Sequence, residues 1–406
     1  MSIKNFQILH EKNILEICWS DDHISRFHAK WIRFHCKCVR CKPSVTFDYK
    51  IDIPSFSPDL AYDEVKITDE GRKLHVIFEK ELFQNHVTEH DADWLRQKCY
   101  CDACLECKVN ERDVISKHLR SGREKVPPEV DFEEILEDSD RGTFKWLKHV
   151  IEEGMCLLKN VPREEKTIKE VASKIATLEE TSFGSVWNVM DTGVDNGSYF
   201  PIALPLHQDQ PTYETAPGLL LLHAFRFDSV VTGGNSTMVD MFEAVEIMRK
   251  ESPEDFQTFV EVPATWCQVE YNPTSIEPVY LEHQKPHITL DYFGKVVGCV
   301  WQPGTQSTLQ VHERDVERYY KAHNKMMEII RRKELQYKFK LSAGDMIIFN
   351  NRRMVHARDA YKSNGGVRHL RGTYLRLDHV KSKYLVLGRK LGYDVIPPKV
   401  GNNSSM

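Results

Sequence analysis

Leu204-Pro205-Leu206-His207-Gln208-Asp209 is the stretch on which the reading of this 406-residue chain turns. A short apolar approach leads into a histidine and an aspartate two residues apart. Downstream, Pro217-Gly218 followed by Leu219-Leu220-Leu221-Leu222 reads as a turn and then a buried strand. Gly344-Asp345-Met346-Ile347-Ile348-Phe349-Asn350 repeats that pattern, which puts His356 just past a strand end. Arg368 follows His356 by 368 − 356 = 12 residues. Two imidazoles and one carboxylate can hold one face of an octahedral metal and leave other positions open, as in non-haem Fe(II) oxygenases. A guanidinium placed as Arg368 is can take the far carboxylate of a dicarboxylate co-substrate through two parallel hydrogen bonds. A lone His-x-Asp is a weak signal. The later histidine and arginine, in the proper order, make iron ligation by His207, Asp209 and His356 the expectation.

Outward from this pair the chain reads as many short strands. Apolar runs at 218–224, 235–240, 286–291, 295–301, 336–341, 345–350 and 371–377 are separated by Gly, Pro and Asn turns. One long helix is predicted at about 313–333. A shorter one runs from Thr143, a plausible cap, to Ile151, and Met155–Lys159 reads as a strand. Short strands around a metal site predict an α+β, mainly β fold: a double-stranded β-helix, or jelly roll, with accessory helices. The expected division is a small N-terminal zinc-binding β domain over 1–107 and a polar linker over 108–140. A catalytic jelly roll over 141–398 and a flexible tail over 399–406 complete it.

Composition excludes some classes. With 41% hydrophobic and 28% charged residues and a formal charge of −5, nothing predicts bulk attraction to nucleic acid or membrane. No apolar run approaches the ~18 residues that a bilayer span needs. The opening Met1-Ser2-Ile3-Lys4-Asn5 has neither a signal-peptide core nor an Arg/Ser-rich transit pattern, so a cytoplasmic protein is expected. Of 11 cysteines, seven lie in two clusters before residue 110, which without a secretory signal points to metal ligation rather than disulfides. Cys18, Cys156, Cys267 and Cys299 stand alone and read as small buried hydrophobes.

The clusters belong to an internal repeat. His23, Ala29, Trp31, Arg33, Cys36, Cys38 and Cys41 recur as His86, Ala92, Trp94, Arg96, Cys99, Cys101 and Cys104, always at the same offset: 86 − 23 = 63 and 104 − 41 = 63. Each copy offers Cys-x-Cys-x-x-Cys plus one histidine, the donors of a closed Cys3His zinc site. Which histidine closes which cluster stays open at this level. His86 can complete Cys36/Cys38/Cys41 while His23 completes Cys99/Cys101/Cys104, or each copy can close on itself. Cys107 is a further thiolate for the second cluster. The basic residues Lys37, Arg40 and Lys42 read as a solvated face rather than an RNA-binding knuckle.

The chain resembles the carnitine-biosynthesis branch of the Fe(II)/2-oxoglutarate dioxygenases, the γ-butyrobetaine and trimethyllysine dioxygenases. The matching pieces run in order along nearly the whole chain: Trp31 to Cys41, Ala92 to Leu95, Phe183 to Trp187, Leu206 to Asp209, Thr232 to Gly234, and Arg368 to Tyr374. The resemblance implies Fe(II) on His207, Asp209 and His356, 2-oxoglutarate on Arg368, O2 as co-substrate, and ascorbate as reductant. It implies zinc on Cys36, Cys38, Cys41 and His86, which is crossed closure. By the symmetry of the repeat, His23, Cys99, Cys101 and Cys104 offer a second zinc site that the resemblance does not require. A homodimer is also implied.

For the substrate, the resemblance carries an aromatic cage for a quaternary ammonium onto Trp187, Tyr199 and Tyr374, with Phe183 where a tyrosine otherwise stands. Asn196 is an amide where a carboxylate would suit the α-amino group of trimethyllysine. An amide there fits γ-butyrobetaine, so hydroxylation of γ-butyrobetaine to L-carnitine is the expected reaction. Trimethyllysine hydroxylation, action on another small quaternary-ammonium substrate, a peptide hydroxylase or demethylase, and a non-catalytic zinc scaffold are the alternatives. One segment departs from the pattern. Where the family carries an arginine and an Asn-Asn pair near the substrate carboxylate, this chain has Gly298-Cys299-Val300-Trp301-Gln302-Pro303.

Overall fold

The computed structural model describes residues 1–9, 13–42, 55–112, 124–190, 201–271 and 278–398. The chain divides into two compact units, Met1–Glu111 and Arg112–Met406.

The first unit is the repeat made visible. Strands Ile3–Leu9, Ile14–Trp19 and Ile24–His28 form an antiparallel sheet that feeds the helix Ala29–Phe34. Strands Ala61–Thr68, Lys73–Glu79 and Thr88–Asp91 do the same and feed Ala92–Gln97. The two helices are offset by 92 − 29 = 63 residues, the offset of the sequence repeat. Alternation sets the inward faces: Leu15, Ile17 and Trp19 on one middle strand, Leu74, Val76 and Phe78 on the other. These side chains join Ala29, Ile32, Ala92 and Leu95 in one hydrophobic core drawn from both copies.

The second unit is a jelly roll. Its larger, seven-stranded sheet runs Trp187–Val189, Arg368–Leu375, Leu219–Phe227, Met346–Asn350, Met155–Lys159, Glu129–Asp131, with Leu178–Glu179 also paired to Arg368–Leu375. The smaller, four-stranded sheet runs Leu204–His207, Met354–Arg358, Ser236–Asp240, Gln336–Phe339. The leucine run at 219–222 is apolar throughout because both faces of its strand are covered. Leu219 and Leu221 join Cys156, Leu158, Met346 and Ile348 in the core beneath the helices. Leu220 joins Met155, Leu157, Ile347 and Phe349 on the other face, in a core shared with Met238 and Met354 of the smaller sheet. Each fully buried leucine contributes roughly 1.5–3 kcal/mol.

Two expectations change here. Thr143 is not a helix cap: the helix spans Ser139–Glu153, Asp138 accepts from the Arg141 N–H at its start, and Thr143 lies buried inside it. An acidic turn before the apolar periodicity caps this helix one turn earlier than the pattern shows. It ends at Gly154, whose φ of 84° is left-handed and whose missing Cβ leaves room for Met354. The stretch 108–140, read as a linker, carries the strand Glu129–Asp131 and the helix Phe132–Glu137, closed by a capping box between Asp131 and Glu134. Val130, Phe132 and Ile135 are too few and too interspersed with acids to register as a periodic run, yet all three enter the catalytic core. Residues 113–123 and the tail at 399–406 lie outside the described residues. No helix among the described residues is long and apolar enough to cross a membrane.

Candidate active site and metal centres

Strand register brings the predicted metal donors together. Leu204–His207 pairs antiparallel with Met354–Arg358 so that His207 stands opposite His356, and Met238 flanks His356 on the other side. Asp209, two residues beyond His207, turns its Oδ1 to within 3.3 Å of His207 Nε2 and 3.7 Å of His356 Nε2. All three donor atoms lie within 4.8 Å of one another. His207 donates from Nδ1 to the Pro205 carbonyl at 2.7 Å, which fixes its tautomer and leaves the Nε2 lone pair facing its partners.

The electrostatics suit a cation. Burial opposes charge on His207, but Asp209 outweighs it and raises the pKa. Burial and the neighbouring His207 push His356 down to about 3. Asp209 resists its own burial: His356, His207 and the Tyr374 hydroxyl hold it well below the usual carboxylate range. Two nitrogen donors and one ionised carboxylate on a single face fit a divalent ion with open positions, so this donor set passes the chemical test for Fe(II).

A second ring of contacts holds the tripeptide in place. Asn351, fully buried, donates to the Asp209 carbonyl and accepts from the Asp209 N–H, both at 2.9 Å. Gln208 is held on the other side: its N–H donates to the Trp301 carbonyl and its Oε1 accepts from the Trp301 N–H, both at 2.8 Å. Tyr374 donates to Asp209 Oδ2 at 2.8 Å, which leaves Oδ1 for the imidazoles. Sequence reading singled out neither Asn351 nor the pairing of Gln208 with Trp301. Asn350-Asn351 at the end of a strand is the mark of Asn351 in the sequence.

A cavity of about 590 Å³ opens between the two sheets over this triad. Arg368, Phe183, Trp187 and Tyr374 line it together with His207, Asp209 and His356. Arg368 is buried, with its guanidinium over Tyr361 at 5.2 Å and Phe227 at 5.6 Å. Burial and nearby Arg358 push its pKa down to about 10, and its Nε has no hydrogen-bond partner among the described residues. A buried, unmatched donor at a cavity wall fits an incoming carboxylate. The Trp187 and Tyr374 rings lie 4.3 Å apart between centroids, and Trp187 crosses Gly372 so closely that a Cβ there would come within 2.5 Å of it. Asn196 and Tyr199 lie outside the described residues.

The departing segment falls largely elsewhere. Gly298, Cys299 and Val300 line a separate small pocket behind Asp209. Gln302 does reach the main cavity wall, but its amide accepts from the Gly304 N–H and donates to the Gln208 carbonyl. These bonds brace the loop that holds the tripeptide.

In the first unit the histidines cross over. His86 Nε2 lies 3.5, 3.4 and 3.4 Å from the sulfurs of Cys36, Cys38 and Cys41. His23 Nε2 lies 3.3, 3.8 and 3.6 Å from those of Cys99, Cys101 and Cys104. Cys107 faces away, toward Glu111 at 3.5 Å. Cys36 and Glu81 push His86 up to about 10, while Cys38, against the cost of its own burial, is lowered to about 6 by its hydrogen bond from His86. Three sulfurs gathered on one histidine nitrogen are the donor set of a closed Cys3His zinc site.

Comparison with known proteins agrees with this geometry. Residues 115–374 match the family model described as taurine catabolism dioxygenase TauD, TfdA family. Residues 6–69 match the one described as gamma-butyrobetaine hydroxylase-like, N-terminal. The chain is 30% identical to a gamma-butyrobetaine dioxygenase of Pseudomonas sp. (strain AK-1), over 92% of this chain and 94% of that protein. It is 28% identical to the gamma-butyrobetaine dioxygenase of Homo sapiens over 96% and 98% of the two chains. With a trimethyllysine dioxygenase of Meyerozyma guilliermondii it shares 24% identity over 98% and 99%.

Proposed function

This chain belongs to the taurine catabolism dioxygenase TauD, TfdA family, and from that premise we propose that it hydroxylates γ-butyrobetaine to L-carnitine. Enzymes of the family are Fe(II)- and 2-oxoglutarate-dependent dioxygenases that use O2, and this chain is one of them. The observation that supports a quaternary-ammonium substrate is the Trp187–Tyr374 aromatic pair in the same cavity wall as the His207/Asp209/His356 donors, and the higher identity to gamma-butyrobetaine dioxygenases than to trimethyllysine dioxygenases favours γ-butyrobetaine. A quaternary ammonium keeps its charge at any pH and has no N–H to donate, so aromatic faces are what hold it, at ~0.5–2 kcal/mol each.

The roles follow from position. His207, Asp209 and His356 would hold Fe(II). When bound, it couples oxidative decarboxylation of 2-oxoglutarate to succinate with hydroxylation of a substrate C–H bond. Arg368 pairs its buried guanidinium with the far carboxylate of 2-oxoglutarate, whose charge offsets the cost of that burial. Leu220, Phe349 and Met238 give the cavity an apolar wall beside the metal donors. Trp187 and Tyr374 set where the substrate carbon stands, and positioning is the protein's main contribution once the cofactor supplies the oxidant.

Tyr374 has two tasks that a conservative variant separates. Tyr374→Phe keeps the ring against Trp187 and removes the hydrogen bond to Asp209. We expect iron affinity to fall by ~10–100-fold, the usual cost of losing a ligand's hydrogen-bond partner, with KM for the substrate unchanged at saturating iron. A raised KM with normal iron affinity would place Tyr374 in the cage alone.

One observation favours a second reading. Glu270 lines the cavity, with its carboxylate accepting from Gln268 at 3.1 Å. An anionic wall group suits a substrate with a free ammonium, as trimethyllysine has. The decisive experiment measures succinate formation with γ-butyrobetaine, trimethyllysine and taurine under identical conditions. The proposal expects the highest kcat/KM for γ-butyrobetaine; a higher value for trimethyllysine overturns it.

A further inference from the structure

We infer that the first unit binds a second tetrahedral zinc ion, on His23, Cys99, Cys101 and Cys104, in addition to the ion on Cys36, Cys38, Cys41 and His86. The inference stands apart from the identity of the substrate and of the active-site metal.

Distances carry it. With Zn–S of about 2.3 Å and Zn–N of about 2.0–2.1 Å at tetrahedral angles, the nitrogen-to-sulfur edge of a Cys3His site is about 3.5 Å. The three edges at His86 are 3.5, 3.4 and 3.4 Å. Those at His23 are 3.3, 3.8 and 3.6 Å, which centre on the same value. Four donors from two places in the sequence thus stand on the corners of one zinc polyhedron, all within 4.8 Å of one another. A loose group of thiols has no reason to share one histidine nitrogen at that edge length.

The repeat extends to the outer contacts. Arg33 donates to Cys41 at 3.3 Å, and Arg96, its counterpart 63 residues on, donates to Cys104 at 3.5 Å. A guanidinium beside a sulfur stabilises the thiolate that zinc requires. Each arginine is in turn held by a carboxylate: Arg33 by Glu81, Arg96 by Asp21. Asp21 also accepts from the His23 backbone N–H at 3.2 Å, which ties the donor histidine to the same network.

The two sites differ where the repeat is broken. Glu81 reaches the second ring nitrogen of His86 at 3.2 Å, whereas among the described residues no carboxylate does this for His23. Cys36, Cys41 and His86 are buried, but of the second set only Cys99 is. The second ion is therefore held more weakly, by the ~10–100-fold that a histidine's carboxylate partner contributes, and it leaves first.

The test counts zinc in the full-length chain carrying His207→Ala, so that the active-site donors do not add to the count. Elemental analysis and native mass spectrometry of zinc-loaded protein should give two ions per chain. Adding His23→Ala should remove one, adding His86→Ala should remove the other, and Cys107→Ser should remove neither. Should the His23 variant misfold, stepwise chelation of the chain with its zinc sites intact gives the answer without it: two successive losses of one zinc are expected. A single zinc per chain, or an unchanged count in folded His23→Ala protein, overturns the inference.

Discussion

Succinate formation by the His207→Ala variant is expected to fall more than ~100-fold, because loss of even a partner behind a metal ligand costs ~10–100-fold and loss of the ligand itself costs more. Among the described residues, no further His, Cys, Asp or Glu is grouped with His207, Asp209 and His356 at metal-sharing distance. His207 stands in register opposite His356, and its tautomer is fixed by the Pro205 carbonyl. Alanine keeps the strand but leaves one imidazole and one carboxylate to hold the ion. Gln208 is the adjacent polar side chain, and its carbonyl oxygen is held by the Trp301 N–H. The assay is succinate release at saturating Fe(II), with bound iron measured in parallel and circular dichroism as a check on folding. Retained turnover with normal iron loading would remove His207 from the ligand set.

The second large effect is on stability. Asp240→Ala is expected to destabilise the catalytic unit by ~3–5 kcal/mol, the cost of leaving one partner of a buried ion pair without the other. Asp240 Oδ2 accepts from Arg353 at 3.0 and 2.6 Å, and both side chains are almost fully buried. Arg353 also donates to the Ile151 and Glu152 carbonyls, at the end of the Ser139–Glu153 helix where cationic donors are favoured. The other Asp240 oxygen accepts from Phe242 and caps the helix Met241–Glu251. Alanine thus strands a cation, frees a helix cap and loosens the turn that carries Asn351. Thermal unfolding should shift down by on the order of 5–15 °C. The double variant Asp240→Leu/Arg353→Met should recover much of the loss, since apolar replacements of buried pairs are often near neutral. An unchanged melting temperature in Asp240→Ala would show that the pair is dispensable.

How far the sequence carries the fold depends on what each residue does with its side chain. The leucine run at 219–222 is legible because both its faces are covered and the whole run turns apolar. His207, Asp209, His356 and Arg368 are legible because few residue types offer those donors, and the fold brings all four to one cavity. Asn351 is not legible. It acts on the backbone of Asp209, a contact between residues 142 apart that no local pattern encodes. The early start of the Ser139 helix is hidden by its polar first turn. The segment 124–140 is hidden by acids that flank its three core residues, Val130, Phe132 and Ile135. The meaning of Gln302 also needed coordinates, since an amide facing a cavity looks like a ligand group until its own hydrogen bonds are counted.

Crossed closure in the first unit bears on how such a chain can arise. The histidine of each copy stands where it can share a metal ion with the three sulfurs of the other copy, not its own. A protein with a single copy would carry three thiols and a histidine that never meet. It completes a zinc set only by pairing with a second molecule that lends its histidine and borrows one in return. That exchange is the reciprocal contact of a two-fold symmetric dimer. The offset of 63 residues then reads as the length of an ancestral subunit. The present unit has the contact pattern of such a dimer carried on one polypeptide, its partner made permanent by a peptide link.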